Sequence, residues 1–137
     1  MNDIERLLDS TFPFIEDLLR KYEEFFPLAS AIKTDNTIAQ VGTYRDEEKP
    51  LSAKVIAELK KSFRTKKEDY KTVAIFYDVK VVNPNTGLKT DAVAVFVETK
   101  NEDTAYILYY AYILETGKQL IFSDSWKDKN DKEIFSD

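Results

Sequence analysis

The sequence predicts an α+β domain: an antiparallel sheet of five or six strands, with two or three helices packed on one face, in the order α-β-β-α-β-β-β-β. Three observations carry this. Apolar residues recur at helical spacing in the first 26 residues and again after residue 52. From residue 71 the period changes to two. Turn-forming clusters separate the alternating segments closely enough for hairpins, which makes the sheet antiparallel.

In the first segment Phe14, Ile15, Leu18, Leu19, Tyr22, Phe25 and Phe26 share helical spacing, leaving Glu16, Asp17, Arg20, Lys21, Glu23 and Glu24 for water. Pro13 suits a first helical turn. Ile4, Leu7 and Leu8 form a shorter helical stretch upstream, so the segment reads as one kinked helix or as two. Pro27 ends it.

Two short apolar runs then flank the turn residues Thr34, Asp35 and Asn36, predicting a hairpin with strands at Leu28–Lys33 and Thr37–Tyr44. The stretch RDEEKP at 45–50 reads as a charged loop. Ser52 is the expected N-cap of a second helix, with Val55, Ile56, Leu59 and Phe63 as its apolar stripe.

Strands at Lys71–Val82 and Lys89–Glu98 surround NPNTG, a strong turn signal. Tight pairing there sets Lys80 opposite Asp91. Thr104–Glu115 forms the next strand, Thr116-Gly117 a further turn, and Gln119–Ser123 a sixth strand. Residues 1–126 read as a single domain and 127–137 as a charged, frayed tail; Trp126 at the boundary and Ile134 and Phe135 within the tail can dock back.

Composition restricts the chemistry. The 137 residues include no cysteine and no histidine. That excludes disulfides, thiolate nucleophiles, thiolate metal sites, and Ser-His-Asp or Cys-His catalysis. An enzyme built from this chain would have to use carboxylates, Lys, Tyr, or a cation held only by oxygen. No glycine-rich phosphate loop and no calcium-loop spacing occurs. Neither a cofactor nor a metal is therefore expected. A net charge of −5 argues against nucleic acid or an anionic membrane as partner. The acidic, amphipathic start lacks the pattern of a signal peptide, and the longest apolar run falls short of a membrane span, so a cytoplasmic location is expected.

Some residues carry a resemblance. The stretches KYEEFFPLASAIKTDNTIAQVGTY, TVAIFYDVKV and KTDAVAVFVE resemble a group of small uncharacterised bacterial proteins. These share an E-x-F-P-[FL]-A start, here Glu24, Phe26, Pro27, Leu28 and Ala29. They also share a Tyr-Asp-Val strand, here Tyr77-Asp78-Val79, and a K-T-D-A-[IV]-A-V strand, here Lys89 to Val95. The element order over 13–115 is similar to that of the profilin-like roadblock and longin domains. That likeness implies a five-stranded antiparallel sheet and a scaffold or dimerisation role, at the level of fold alone.

The tyrosine-rich stretch TAYILYYAYIL is the main candidate site. Alternation puts Tyr106, Tyr110 and Tyr112 on one face and Ala105, Ile107, Tyr109 and Ala111 on the other. The small alanines suggest the helix-covered face, which leaves the three tyrosines for a sheet face or a protein interface. Tyr77 and Asp78 are further ligand or interface candidates, with Asp78 as the sole plausible acid or base. The basic run KKSFRTKK offers Lys60, Lys61, Arg64 and Lys67 as a docking patch for an acidic partner, against the plainer reading of a solvated helix end.

The expected function is thus a non-catalytic protein-interaction module that meets a protein partner or self-associates as a homodimer. Immunity-type and scaffold roles both suit a small acidic chain. The alternative is a small-molecule-binding domain with a pocket between the first helix and the sheet, where Tyr22, Tyr77 and Tyr110 supply hydroxyls.

Overall fold

A computed structural model describes residues 2–41, 51–115 and 119–135. The expected loop at 45–50, the outer residues 42–44 of the second strand and the Thr116-Gly117 turn lie outside this range.

The N-terminal segment is one helix, α1 (Asp3–Tyr22), with Pro13 inside it. Asn2 caps it, its side-chain oxygen accepting the Glu5 N–H at 2.8 Å. Asp3 and Glu5 in the first turn and Arg20 and Lys21 in the last complement the helix dipole. Glu23 ends it in the left-handed region, φ 63°. Pro13 lies on the solvent side of the helix, where the carbonyl it leaves without a backbone donor is open to water. The buried stripe is Leu7, Thr11, Ile15 and Leu19. Thr11 donates to Ser30 across the interface at 2.9 Å, so this polar pair is satisfied within the core.

Next come β1 (Leu28–Lys33) and β2 (Ile38–Val41), paired as the expected hairpin. Its turn is fixed by Asp35, which accepts from the backbone and hydroxyl of Thr37, and by Asn36 at φ 74°. The second helix, α2 (Ser52–Thr65), buries Val55, Leu59 and Phe63. Ser52 is its first helical residue; Leu51 holds the cap position without a side-chain bond.

Four long strands follow: β3 (Tyr70–Val82), β4 (Lys89–Thr99), β5 (Ala105–Leu114) and β6 (Leu120–Asn130). The sheet order is β2-β1-β3-β4-β5-β6, antiparallel throughout. Lys80 stands opposite Asp91, the register that the NPNTG turn implied. Gly87 takes φ +73° in that turn, a conformation strained for other residues.

One expectation is corrected. The two helices lie on opposite faces of the sheet. On one side α1 packs on Ile32, Ala74, Phe76, Val93, Val95 and Val97; on the other α2 packs on Ala31, Val73, Ile75 and Phe96. The physical reason is that β3 and β4 are apolar on both pleats, and each face needs a cover. The sheet curls about α1, which approaches β1 and β3 near one edge and β6 at the other.

The C-terminal tail differs too. Its charged residues 127–130 continue β6, and Ile134 is buried on the α2 side.

Candidate functional site

The tyrosine strand divides as alternation requires, but its two sets meet different surroundings. Tyr106, Tyr110 and Tyr112 face α1, whereas Ala105 and Ile107 face the α2 side. The tyrosines are therefore not a bare outer face.

Tyr112 is buried, and its hydroxyl donates to Asp78 Oδ1 at 2.7 Å. Partial burial pushes the Asp78 carboxyl up to about 6. The Tyr112 bond pulls the other way, while Asp91 and Glu24, within electrostatic reach, push it further up. Burial and the carboxylate likewise raise the Tyr112 phenol. The pair closes one end of the α1–sheet interface; its two members are joined across β4, which lies between β3 and β5.

Tyr110 occupies a more open position. The ring of Phe12 meets it edge-on at 5.0 Å between centroids, and meets Phe122 of β6 at 5.8 Å. Between α1 and the outer strands runs an open groove of about 460 Å³. Leu8, Phe12, Tyr110 and Phe122 form its apolar surface; Asp9 and Glu16 stand on the α1 bank. Phe122 remains 38% exposed. Further along the same face, Lys127 and Lys129 of β6 stand opposite Leu108 and Tyr106, with the Lys127 ammonium 4.8 Å from the Tyr106 ring centre. The surface thus runs from acidic on α1, through apolar, to basic on β6.

The pocket expected between the first helix and the sheet has this groove as its counterpart, with a different lining. Of the hydroxyls assigned to it, only that of Tyr110 belongs to it. Tyr22 is exposed at 66%, beyond the sheet. Tyr77 lies on the α2 side, where burial, reinforced by Tyr109 and Glu133, pushes its phenol up to about 12. Asp78 shares a face with the groove but lines no part of it.

The basic docking patch is partly used within the chain. Lys60 forms a 2.7 Å ion pair with Glu133 and lies over the Phe96 ring. Arg64 donates to the Glu133 carbonyl at 3.2 Å. Lys61 is exposed on the outer side of α2, and Lys67 is half-buried just beyond it. Glu133 of the chain's own C-terminal segment thus takes two members of this patch, Lys60 and Arg64.

The sequence reading missed Glu98, Phe12 and Phe122. Glu98 is 1% exposed, yet its only sequence signal is a carboxylate in phase with Phe96 and thus on an apolar face. Phe12 and Phe122 carried no distinct signal, each lying beside other apolar residues, Phe14 and Ile15 in one case and Leu120 and Ile121 in the other. Trp126 stacks on Tyr109, with ring centres 5.4 Å apart, and so anchors β6.

Among the described residues, no group of three or more Asp or Glu side chains is placed to hold a metal ion. Among them, too, no helix is long and apolar enough to cross a membrane. Comparison of the chain with protein-family models, with curated proteins and with solved structures gives no match.

Proposed function

We propose that this protein is a non-catalytic interaction module of the cytoplasm that self-associates through the groove between α1 and β6. The observation that carries this reading is the partly exposed Phe12–Tyr110–Phe122 cluster, set between an acidic and a basic bank. An aromatic cluster left half in water favours a partner that covers it. Opposite banks make the surface self-complementary. A two-fold axis along the strands lays the α1 bank of one copy over the β6 bank of the other, as an isologous interface demands. Asp9 and Glu16 then face Lys127 and Lys129; Glu16 also reaches Arg20 of its own helix at 3.8 Å.

The test is solution mass by light scattering on the wild type and on Phe122→Glu, with circular dichroism as the check on folding. A wild-type dimer and a folded monomeric variant support the reading. A wild-type monomer at high micromolar concentration refutes it.

A second reading has one specific support. The groove volume of about 460 Å³ suits a small apolar molecule. Its polar groups diverge along two banks, which disfavours oriented binding of such a ligand. Thermal stabilisation by small apolar compounds, with an unchanging monomer mass, would favour this alternative.

A further inference from the structure

The segment that follows β6 is held like a bound peptide. It adds no strand to the sheet. It lies on the α2 side, and its main chain is read by one buried side chain. The Glu98 carboxylate accepts from three consecutive backbone N–H groups: Glu133 at 2.7 Å, Ile134 at 3.1 Å to each oxygen, and Phe135 at 2.6 Å. Lys60 takes the Glu133 side chain, and Arg64 takes its carbonyl. Ile134 fills a site among Phe63, Phe96 and Ala105, where it is 1% exposed.

Each of these contacts is a mode of peptide recognition. A carboxylate collecting successive N–H groups reads a bent main chain, here the bend at 133–135, while cations read an acidic residue and an apolar pocket reads an aliphatic one. The Lys132 ammonium lies 5.9 Å from the Phe135 ring centre. Beyond Phe135 the seat opens into a cleft of about 400 Å³, lined by lysines and carboxylates in equal number, with room for a longer segment.

We propose that this seat is a peptide-docking site which the C-terminal segment occupies in cis. In trans it accepts a segment of another protein that takes the same bend, with an acidic, an aliphatic and an aromatic residue in succession. The tail is then a built-in competitor, and a partner gains access when the tail lifts. This site is separate from the groove, on the opposite face of the sheet, and the proposal does not depend on the groove's function.

The test uses the full chain and a labelled synthetic peptide of its residues 129–137. Ile134→Asp in the protein ejects the tail. The expected result is that the peptide binds the folded variant and binds the wild type roughly 100-fold more weakly, because a tethered tail competes at an effective concentration near millimolar. Adding Glu98→Gln to the variant abolishes the binding. A folded variant that ignores the peptide, or equal binding to both proteins, overturns the proposal.

Should Ile134→Asp fail to fold, hydrogen exchange on the wild type decides. The amides of Glu133, Ile134 and Phe135 should exchange through local opening, well ahead of those at the centre of β4. Exchange only together with β4 makes the segment plain core and overturns the proposal.

Discussion

Two hollows lie on opposite faces of the sheet, one filled by the chain itself and one open. On the α2 side, Glu133 to Phe135 fill the seat at Glu98. On the α1 side, the groove along Phe12, Tyr110 and Phe122 stays open. The difference follows from what lines them. Glu98 is fully buried, and a buried carboxylate without donors costs several kcal/mol. An empty seat is therefore costly, and the chain's own tail offsets that cost by filling it. The groove is lined by neutral aromatic and aliphatic groups, with its charges on exposed banks. Leaving it wet costs only the exposure of apolar area, roughly 25 cal/mol per Å². The hollow that is costly to leave empty is closed within the chain, while the one that is cheap to leave open can await a partner.

Several substitutions would break or sharpen this contrast. Ile134→Ala should have the largest effect. It leaves a cavity in the filled seat and should lower unfolding free energy by about 2–5 kcal/mol, read from urea denaturation. Next is Glu98→Gln. An amide turns an NH₂ group toward backbone donors and leaves them unsatisfied, for a loss of about 1–3 kcal/mol by the same measurement. If either change is neutral, an unfilled seat is not costly and the contrast fails.

The third prediction concerns Asp78, the carboxyl on the α1 side. Where Glu98 collects backbone N–H groups, Asp78 has the Tyr112 hydroxyl. Folding raises its proton affinity, so the native state holds a proton that the unfolded chain has lost. Stability therefore falls as pH climbs from 3.8, its ordinary value, to about 6. Because Asp78 is only partly buried, solvent screening reduces the effect to about 1 kcal/mol. Asp35 and Asp124, both lowered by hydrogen bonds, act in the opposite sense at more acid pH. Asp78→Asn should flatten the decline in thermal melts between pH 4 and 6.5; a slope unchanged by the substitution would assign it to another group.

The smallest effect on folding belongs to Phe122→Ala. A half-exposed ring at the groove should cost below about 1 kcal/mol of stability, while weakening self-association. A large loss of stability would make the groove a structural cleft.

The elements were legible where one physical signal dominated. Alternation located β3, β4 and β5 within a residue at each end, and the turn before Gly87 fixed their register down to Lys80 opposite Asp91. The side taken by each helix was not legible, because β3 and β4 present apolar residues to both faces and so rank neither. The seat was hidden for a different reason. That Ile134 and Phe135 can dock back was legible from their apolar side chains, but where they dock was not, since the seat depends on Glu98, 36 residues away from Ile134. The Asp78–Tyr112 bond spans 34 residues and requires the order of three strands. The groove was anticipated between the first helix and the sheet, but its lining was not, since Phe122 reaches Phe12 only because the sheet curls around α1.

Charge reversal across the groove tests the self-association account most directly. Asp9→Lys with Glu16→Lys should convert a wild-type dimer into a folded monomer by light scattering. Adding Lys127→Glu and Lys129→Glu to that protein should restore the dimer mass, since the two banks have exchanged sign. A dimer that survives the first pair of changes, or a monomer that persists after the second pair, would contradict the two-fold interface proposed here.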